Sequence, residues 1–317
     1  MSDRPEPTSV LAGLRTAFED FFFAETGTRR LCLVRVLFGS VFVLRHVLKG
    51  GIHNPGNISF QFPRHLYESE DAYALAGNHP SVPGFEWLPI PSFEVFSFIE
   101  GAIPVFGLLF AMGLFTRVVG PLAALSFSYV FLLSQLHYWH HAQCLAVVMM
   151  VLAFSPCADH FSVDAWLLRT RGREPPRTRL ILPKRLLQIT VSLLYGFSFL
   201  SKLNAGWSTG IVLFAFAVDG SVRGTVAPLV LAVLSFRTLS RFTMLAEGFL
   251  SFGLWVPKLR KPAIAVGVLL HLGIDLLMAV RTFSFQMYVL YLLFLDEPTS
   301  ARDESPHSAA EAARSGT

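Results

Sequence analysis

Leu186-Leu187-Gln188-Ile189-Thr190-Val191-Ser192-Leu193-Leu194-Tyr195-Gly196-Phe197-Ser198-Phe199-Leu200-Ser201-Lys202 reads as a membrane span that ends on a charge, and Leu203-Asn204-Ala205-Gly206-Trp207 follows at once. A charge near the bilayer interior costs about 2.5–3.5 kcal/mol on insertion scales, so a chain keeps one there for a partner, a pathway or a reaction. The same stretch therefore points to the fold class and to the first candidate for chemistry.

The rest of the chain has the same character. Of its 317 residues 53% are hydrophobic, only 15% are charged and 30 are Phe, and the mean hydropathy is +0.51. That lies outside the soluble globular range. Its apolar stretches reach the roughly 20 residues needed to cross about 30 Å of hydrocarbon. Spans are expected near 30–49, 93–114, 117–135, 140–157, 184–202, 238–257, 262–280 and 283–296. The expectation is an all-α, polytopic integral membrane protein with about eight transmembrane helices. Residues 208–236 are apolar but interrupted by Asp219, Gly220, Arg223, Gly224 and Pro228. Each half is too short to span, so a re-entrant or interfacial segment buried against the other helices is expected there.

A net charge of +4 and a pI near 9.1 would suit nucleic acid in a soluble protein. Here the basic residues sit in short segments between spans: Arg169, Arg171, Arg173, Arg177, Arg179, Lys184 and Arg185 in one, Lys258, Arg260 and Lys261 in another. This is the positive-inside pattern. It places both segments, with Arg29, Arg30 and Arg117, on the cytoplasmic side, against the opposing vote of Arg45 and Lys49. The expected location is the cell's inner (plasma) membrane, multi-pass, with both termini cytoplasmic; the partner is a lipid bilayer and not nucleic acid. Residues 1–28 lack the apolar core of a signal peptide and read as a cytoplasmic tail. Within it Leu11, Leu14, Phe18, Phe21 and Phe22 recur at helical spacing, as in an interfacial amphipathic helix. Residues 298–317, rich in Ser, Ala, Arg and Glu, are expected to be disordered. Cys32, Cys144 and Cys157 lie in apolar runs without CxxC spacing, which suits core packing.

This topology puts His137, His140 and His141, the end of the span carrying Lys202, and His271 with Asp275 in the outer half of the membrane, where they could share one pocket. The loop 50–92 is long enough to cover it like a lid. Lys202 has two readings: it snorkels to the interface, or it is a base, because burial favours the neutral amine, which can take a proton. His141 could orient that amine or share its proton, whereas His137 and His140 also fit an aromatic belt with Tyr138 and Trp139. His271 stands four residues before Asp275, so both lie on one helix face and are better suited to a polar cavity than to lipid. Glu247 reads as structural, paired with Arg241 or Arg281. His137-x-x-His140-His141 matches a di-iron histidine box, but such sites need several boxes, and His46, His53, His65, His79, His160, His271 and His307 are scattered. No metal is expected.

Several stretches together resemble the HTTM domain, the bacterial relatives of the transmembrane part of vitamin K-dependent gamma-carboxylase. They are Trp139-His140-His141, then Phe161-Ser162-Val163-Asp164-Ala165, then Phe199-Leu200-Ser201-Lys202-Leu203-Asn204-Ala205-Gly206-Trp207-x-x-Gly210, then 247–260 and the His271 span. The resemblance covers roughly 29–297. It implies an enzyme of carboxylase or quinol-epoxidase type, a lyase or oxidoreductase. In the carboxylase the lysine of that element is the base that deprotonates reduced vitamin K, with molecular oxygen as co-substrate and no metal. By resemblance Lys202 takes that role with His141 as its catalytic partner, and His271, His140, Trp207, Asn204 and Asp275 contact a quinol or other lipophilic small molecule. The animal enzyme continues into a large lumenal portion that binds a glutamate-containing substrate. This chain ends at Thr317, so quinol-dependent proton abstraction and oxygenation are what the resemblance implies here, with carboxylation as a coupled step and the protein or peptide substrate unidentified. The alternative class is a transporter or membrane scaffold with the lysine as a counter-ion.

Overall fold

In a computed structural model the described residues are 9–49, 82–133, 140–222, 227–278 and 281–295. The loop 50–81, His137, Trp139 and the tail 296–317 lie outside them, as do the side chains of Arg45, Lys49, His140, His141 and Arg281. The chain is mostly helical: α1 (Ser9–Phe23), α2 (Arg29–Lys49), α3 (Phe93–Met112), α4 (Thr116–Leu133), α5 (His140–Ala153), α6 (Val163–Thr170), α7 (Leu182–Lys202), α8 (Ala205–Thr209), α9 (Ile211–Val218), α10 (Ala227–Val233), α11 (Phe236–Gly253), α12 (Pro257–Met278) and α13 (Arg281–Tyr291). Each expected span coincides with a helix. Among the described residues three of them, α3, α4 and α12, are long and apolar enough to cross a membrane, and a fourth candidate is α10 with α11, bent by 97° at the break between them.

One departure from an all-α chain is a two-stranded antiparallel ribbon. Strand β1 (Glu25–Gly27) pairs with β2 (Thr178–Leu180), Thr26 opposite Arg179, just before α2 and α7 begin. The short extended entries to these two helices satisfy each other's backbone groups, as Ile181 N–H also does with Ala24 O at 2.8 Å. The segment 208–236 departs from expectation as well. It forms short helices broken at Asp219-Gly220, but it leaves Ile211, Phe214, Val218, Leu229 and Val233 exposed instead of burying them.

Helices α2 to α5 pack in sequence order, and α7, α11 and α12 form a second group; α13 lies against both α2 and α12. The interior is Phe- and Leu-rich, with Phe38, Phe42, Phe110, Leu145, Leu187 and Leu250 fully buried. Arg35 is buried among them at 0% exposure. Its Nε donates to Cys157 O at 2.9 Å, Nη1 to Phe110 O and Ala111 O, and Nη2 to Phe161 O. The guanidinium thereby caps the C-terminus of α3, whose last carbonyls have no partner within the helix. Gly113 ends that helix at φ 70, and a Cβ there would run into Arg35 and Ser162. Asp164 completes the arrangement by accepting from Phe115 N and Thr116 N at 2.9 and 2.8 Å, at the start of α4. The Phe161–Ala165 stretch is thus a structural knot that fixes the α3–α4 corner against the loop after α5.

Candidate functional site

Pro183 in the first turn starts α7, and the helical repeat then sets Tyr195, Ser198 and Lys202 on one side of it. Facing them is Glu247 of α11. The Lys202 Nζ donates to Glu247 Oε1 at 2.9 Å, lies 2.8 Å from Oε2, and donates to Ser198 Oγ at 2.5 Å. Ser198 Oγ in turn donates to Glu247 Oε1 at 2.9 Å. The lysine and glutamate side chains are only 12% and 10% exposed. Lys202 therefore does not snorkel into water. It is held in a nearly buried, charge-assisted pair.

The residues after Lys202 explain their own spacing. Asn204 caps α8, its Oδ1 accepting from Trp207 N at 3.1 Å while its Nδ2 donates to Ser201 O at 3.0 Å. Gly210 leaves α8 at φ 83, with its α-carbon so near the backbone of Phe236 and Arg237 that a Cβ would collide with it. Ser240 Oγ donates to Trp207 O, and Arg241 Nε donates to Ser208 O at 3.0 Å. The turn is thus clamped on α11 and holds the Trp207 ring 4.9 Å from the Lys202 nitrogen, within cation–π range.

His271 lies in a second cluster. It is 1% exposed and shares a hydrogen bond through Nε2 with Tyr195 Oη at 2.7 Å. Tyr195 Oη also bonds the Tyr291 hydroxyl. Phe283 and Tyr288 stand edge-on to the imidazole at 5.4 and 6.1 Å. Its Nδ1 has no hydrogen-bond partner among the described residues. Asp275 follows on the same helix, within electrostatic reach of Tyr288.

The structure thus brings Lys202, Asn204 and Trp207 together and sets His271 apart, about two helical turns back along α7 by way of Tyr195. His140 and His141 begin α5; whether their rings join Lys202 lies outside the described side chains. Glu247 pairs with Lys202 and not with Arg241, because α11 turns its Glu247 face inward to α7 while Arg241 reaches the α8 turn. Ser198, Tyr195 and Tyr291 are site residues that the sequence reading did not single out. Ser198 and Tyr195 stand four and seven residues before Lys202, a helical spacing that could have found them; Tyr291 carried no such signal.

No curated protein and no solved structure matches the chain. The HTTM domain matches residues 23–298, nearly the whole of the described fold and every residue of the Lys202 cluster. The chain is a membrane protein, and it belongs to the HTTM domain family.

Proposed function

We propose that the protein is a membrane enzyme that removes a proton from a lipophilic hydroxyl compound, a reduced vitamin K or another quinol, with Lys202 as the general base. The carrying observation is the setting of the Lys202–Glu247 pair. It is a polar, titratable pair kept almost out of water, while its neighbours Phe197, Leu200, Leu203 and Ile211 are exposed apolar surface. A hydroxyl compound dissolved in the bilayer could reach such a site without crossing water, and an amine is costly to keep there unless it is used. Trp207 offers an aromatic face for a ring, and Asn204 fixes the turn that presents it. His271 and Asp275 are assigned to the ring's far side, and His140 and His141 to the approach from α5. The quinol, when bound, supplies the acidic hydroxyl and the electrons that reduce molecular oxygen; a carboxylation of a peptide coupled to it is the further step that the resemblance to the carboxylase suggests. On this reading all eight expected spans cross the inner (plasma) membrane with both termini cytoplasmic. A cysteine at Thr178 that an impermeant maleimide labels from outside sealed cells would reverse that orientation.

The test is quinol-dependent oxygen consumption and epoxide formation by protein in lipid nanodiscs supplied with reduced vitamin K. Lys202→Ala should remove at least about a hundredfold of the rate. Lys202→Arg should fail as well, because a guanidinium stays protonated. Full activity in Lys202→Arg would show that the position needs a charge and not a base. The ion pair itself favours one second reading, a membrane scaffold in which Lys202 is the counter-ion that pins α7 to α11; quinol-independent behaviour of the wild type would select it.

A further inference from the structure

An ammonium has three N–H bonds to donate, and three acceptors meet those of Lys202, namely Ser198 Oγ, Ser198 O at 3.5 Å and Glu247 Oε1, while Glu247 Oε2 lies 2.8 Å from the nitrogen as the other half of the ion pair. Held in this way the nitrogen has no lone pair, so base chemistry at Lys202 must begin by moving one of its own protons. Ser198 is no destination for it, since its hydroxyl already donates to Glu247. Among the described residues the Glu247 carboxylate is the one group touching Nζ that can hold another proton. Transfer from ammonium to carboxylate turns two charges into two neutral groups, which low-dielectric surroundings favour.

We propose that Glu247 is the proton acceptor behind Lys202, so that the site deprotonates its substrate as a lysine–glutamate pair; this rests on the quinol-base reading above. One N–H bond of Nζ breaks as an O–H bond forms on Glu247. The neutral amine then takes the proton of the substrate hydroxyl and is an ammonium again, and the substrate oxygen keeps the electron pair. The net change is one proton moved from substrate to Glu247 and one negative charge moved from Glu247 to the substrate oxygen, which faces the Lys202 ammonium. Ser198 positions the carboxylate for this exchange by its hydrogen bond to Oε1. Glu247 is a positioning and proton-holding residue and acts through Lys202.

Two readouts test this on the full chain in nanodiscs, with Glu247→Gln and Glu247→Asp. In the first, with no quinol present, a lipophilic amine-reactive reagent measures Lys202 modification across neutral pH. The wild-type amine should react slowly because its charge is paired. Glu247→Gln should raise its reactivity by about tenfold or more, since a lone ammonium in apolar surroundings gives up its proton more readily; Glu247→Asp should restore protection. In the second, with reduced vitamin K and oxygen, Glu247→Gln should lower turnover by about a hundredfold and abolish the acid limb of the pH–rate profile, and Glu247→Asp should recover part of the rate. Turnover in Glu247→Gln equal to or above the wild type would overturn the proposal, because Glu247 would then only restrain the base. Equal Lys202 reactivity with Glu or Gln at 247 would overturn the pairing on which it depends. A wild type without quinol-dependent turnover would sink the functional reading, and the labelling result would still decide whether Glu247 controls the lysine proton.

Discussion

Arg35 and Lys202 are both cations within apolar helices, and the protein holds them in opposite ways. Arg35 is fully buried, and its four hydrogen bonds all run to backbone carbonyls, two at the end of α3 and two in the loop after α5. Its charge is balanced by dipoles, and a guanidinium does not release its proton. Lys202 meets a carboxylate instead, in a pair that is neutral as a whole and keeps a narrow opening to its surroundings. A cation set on fixed dipoles is a brace. A cation set on an acid is a pair whose proton can move without placing net charge in the membrane.

That contrast breaks first at Arg35. Arg35→Ala leaves the carbonyls of Ala111, Cys157 and Phe161 without their donor and Phe110 O with Gly113 N–H alone, and should cost at least about 3 kcal/mol, read as a large drop in the thermal unfolding temperature of detergent-solubilised protein. An unchanged melting temperature would mean that Arg35 is no brace. A smaller loss is expected at Asp164→Ala, which strips the acceptor from Phe115 N and Thr116 N; an N-terminal cap of this kind is worth about 0.5–2 kcal/mol. The smallest effect belongs to the double variant Lys202→Met with Glu247→Leu. Replacing a nearly buried ion pair by apolar groups of similar volume is often neutral, so stability should stay within about 1 kcal/mol of wild type while activity is lost. A double variant as unstable as Arg35→Ala would erase the distinction and mark Lys202 as a second brace.

The helices were legible in the sequence because the cost of burying polar backbone in lipid forces each apolar run of the required length into a helix. Lys202 was legible for the same reason, as a charge at odds with its run. Its partner was not: Glu247 stands 45 residues away, and helical periodicity fixes which face of α11 the acid occupies but not which helix that face meets. Arg35 went unread because arginine near the end of a span passes for a topology signal, and only the C-terminal carbonyls of α3, more than 70 residues on, reveal its use. The α8 turn lay between these cases. The Asn204, Trp207 and Gly210 spacing was recognisable as a family signature, whereas the cap, the ring over the amine and the close approach to α11 that account for it are three-dimensional facts.

The β1–β2 ribbon carries a consequence for biogenesis. Thr178 Oγ1 donates to Glu25 Oε2 across 153 residues of chain, so the strand beside α2 has no mate until the ribosome has delivered everything through α6. The segments that form α2 to α5 are all synthesised while that edge is open. The ribbon then closes only as α7 begins to emerge, tying the entrance of the early half to the entrance of the helix that bears Lys202. The order of synthesis is in this sense written into the chain: the segment that carries Arg35 is made before the ribbon can fasten its entrance to that of the helix that carries Lys202.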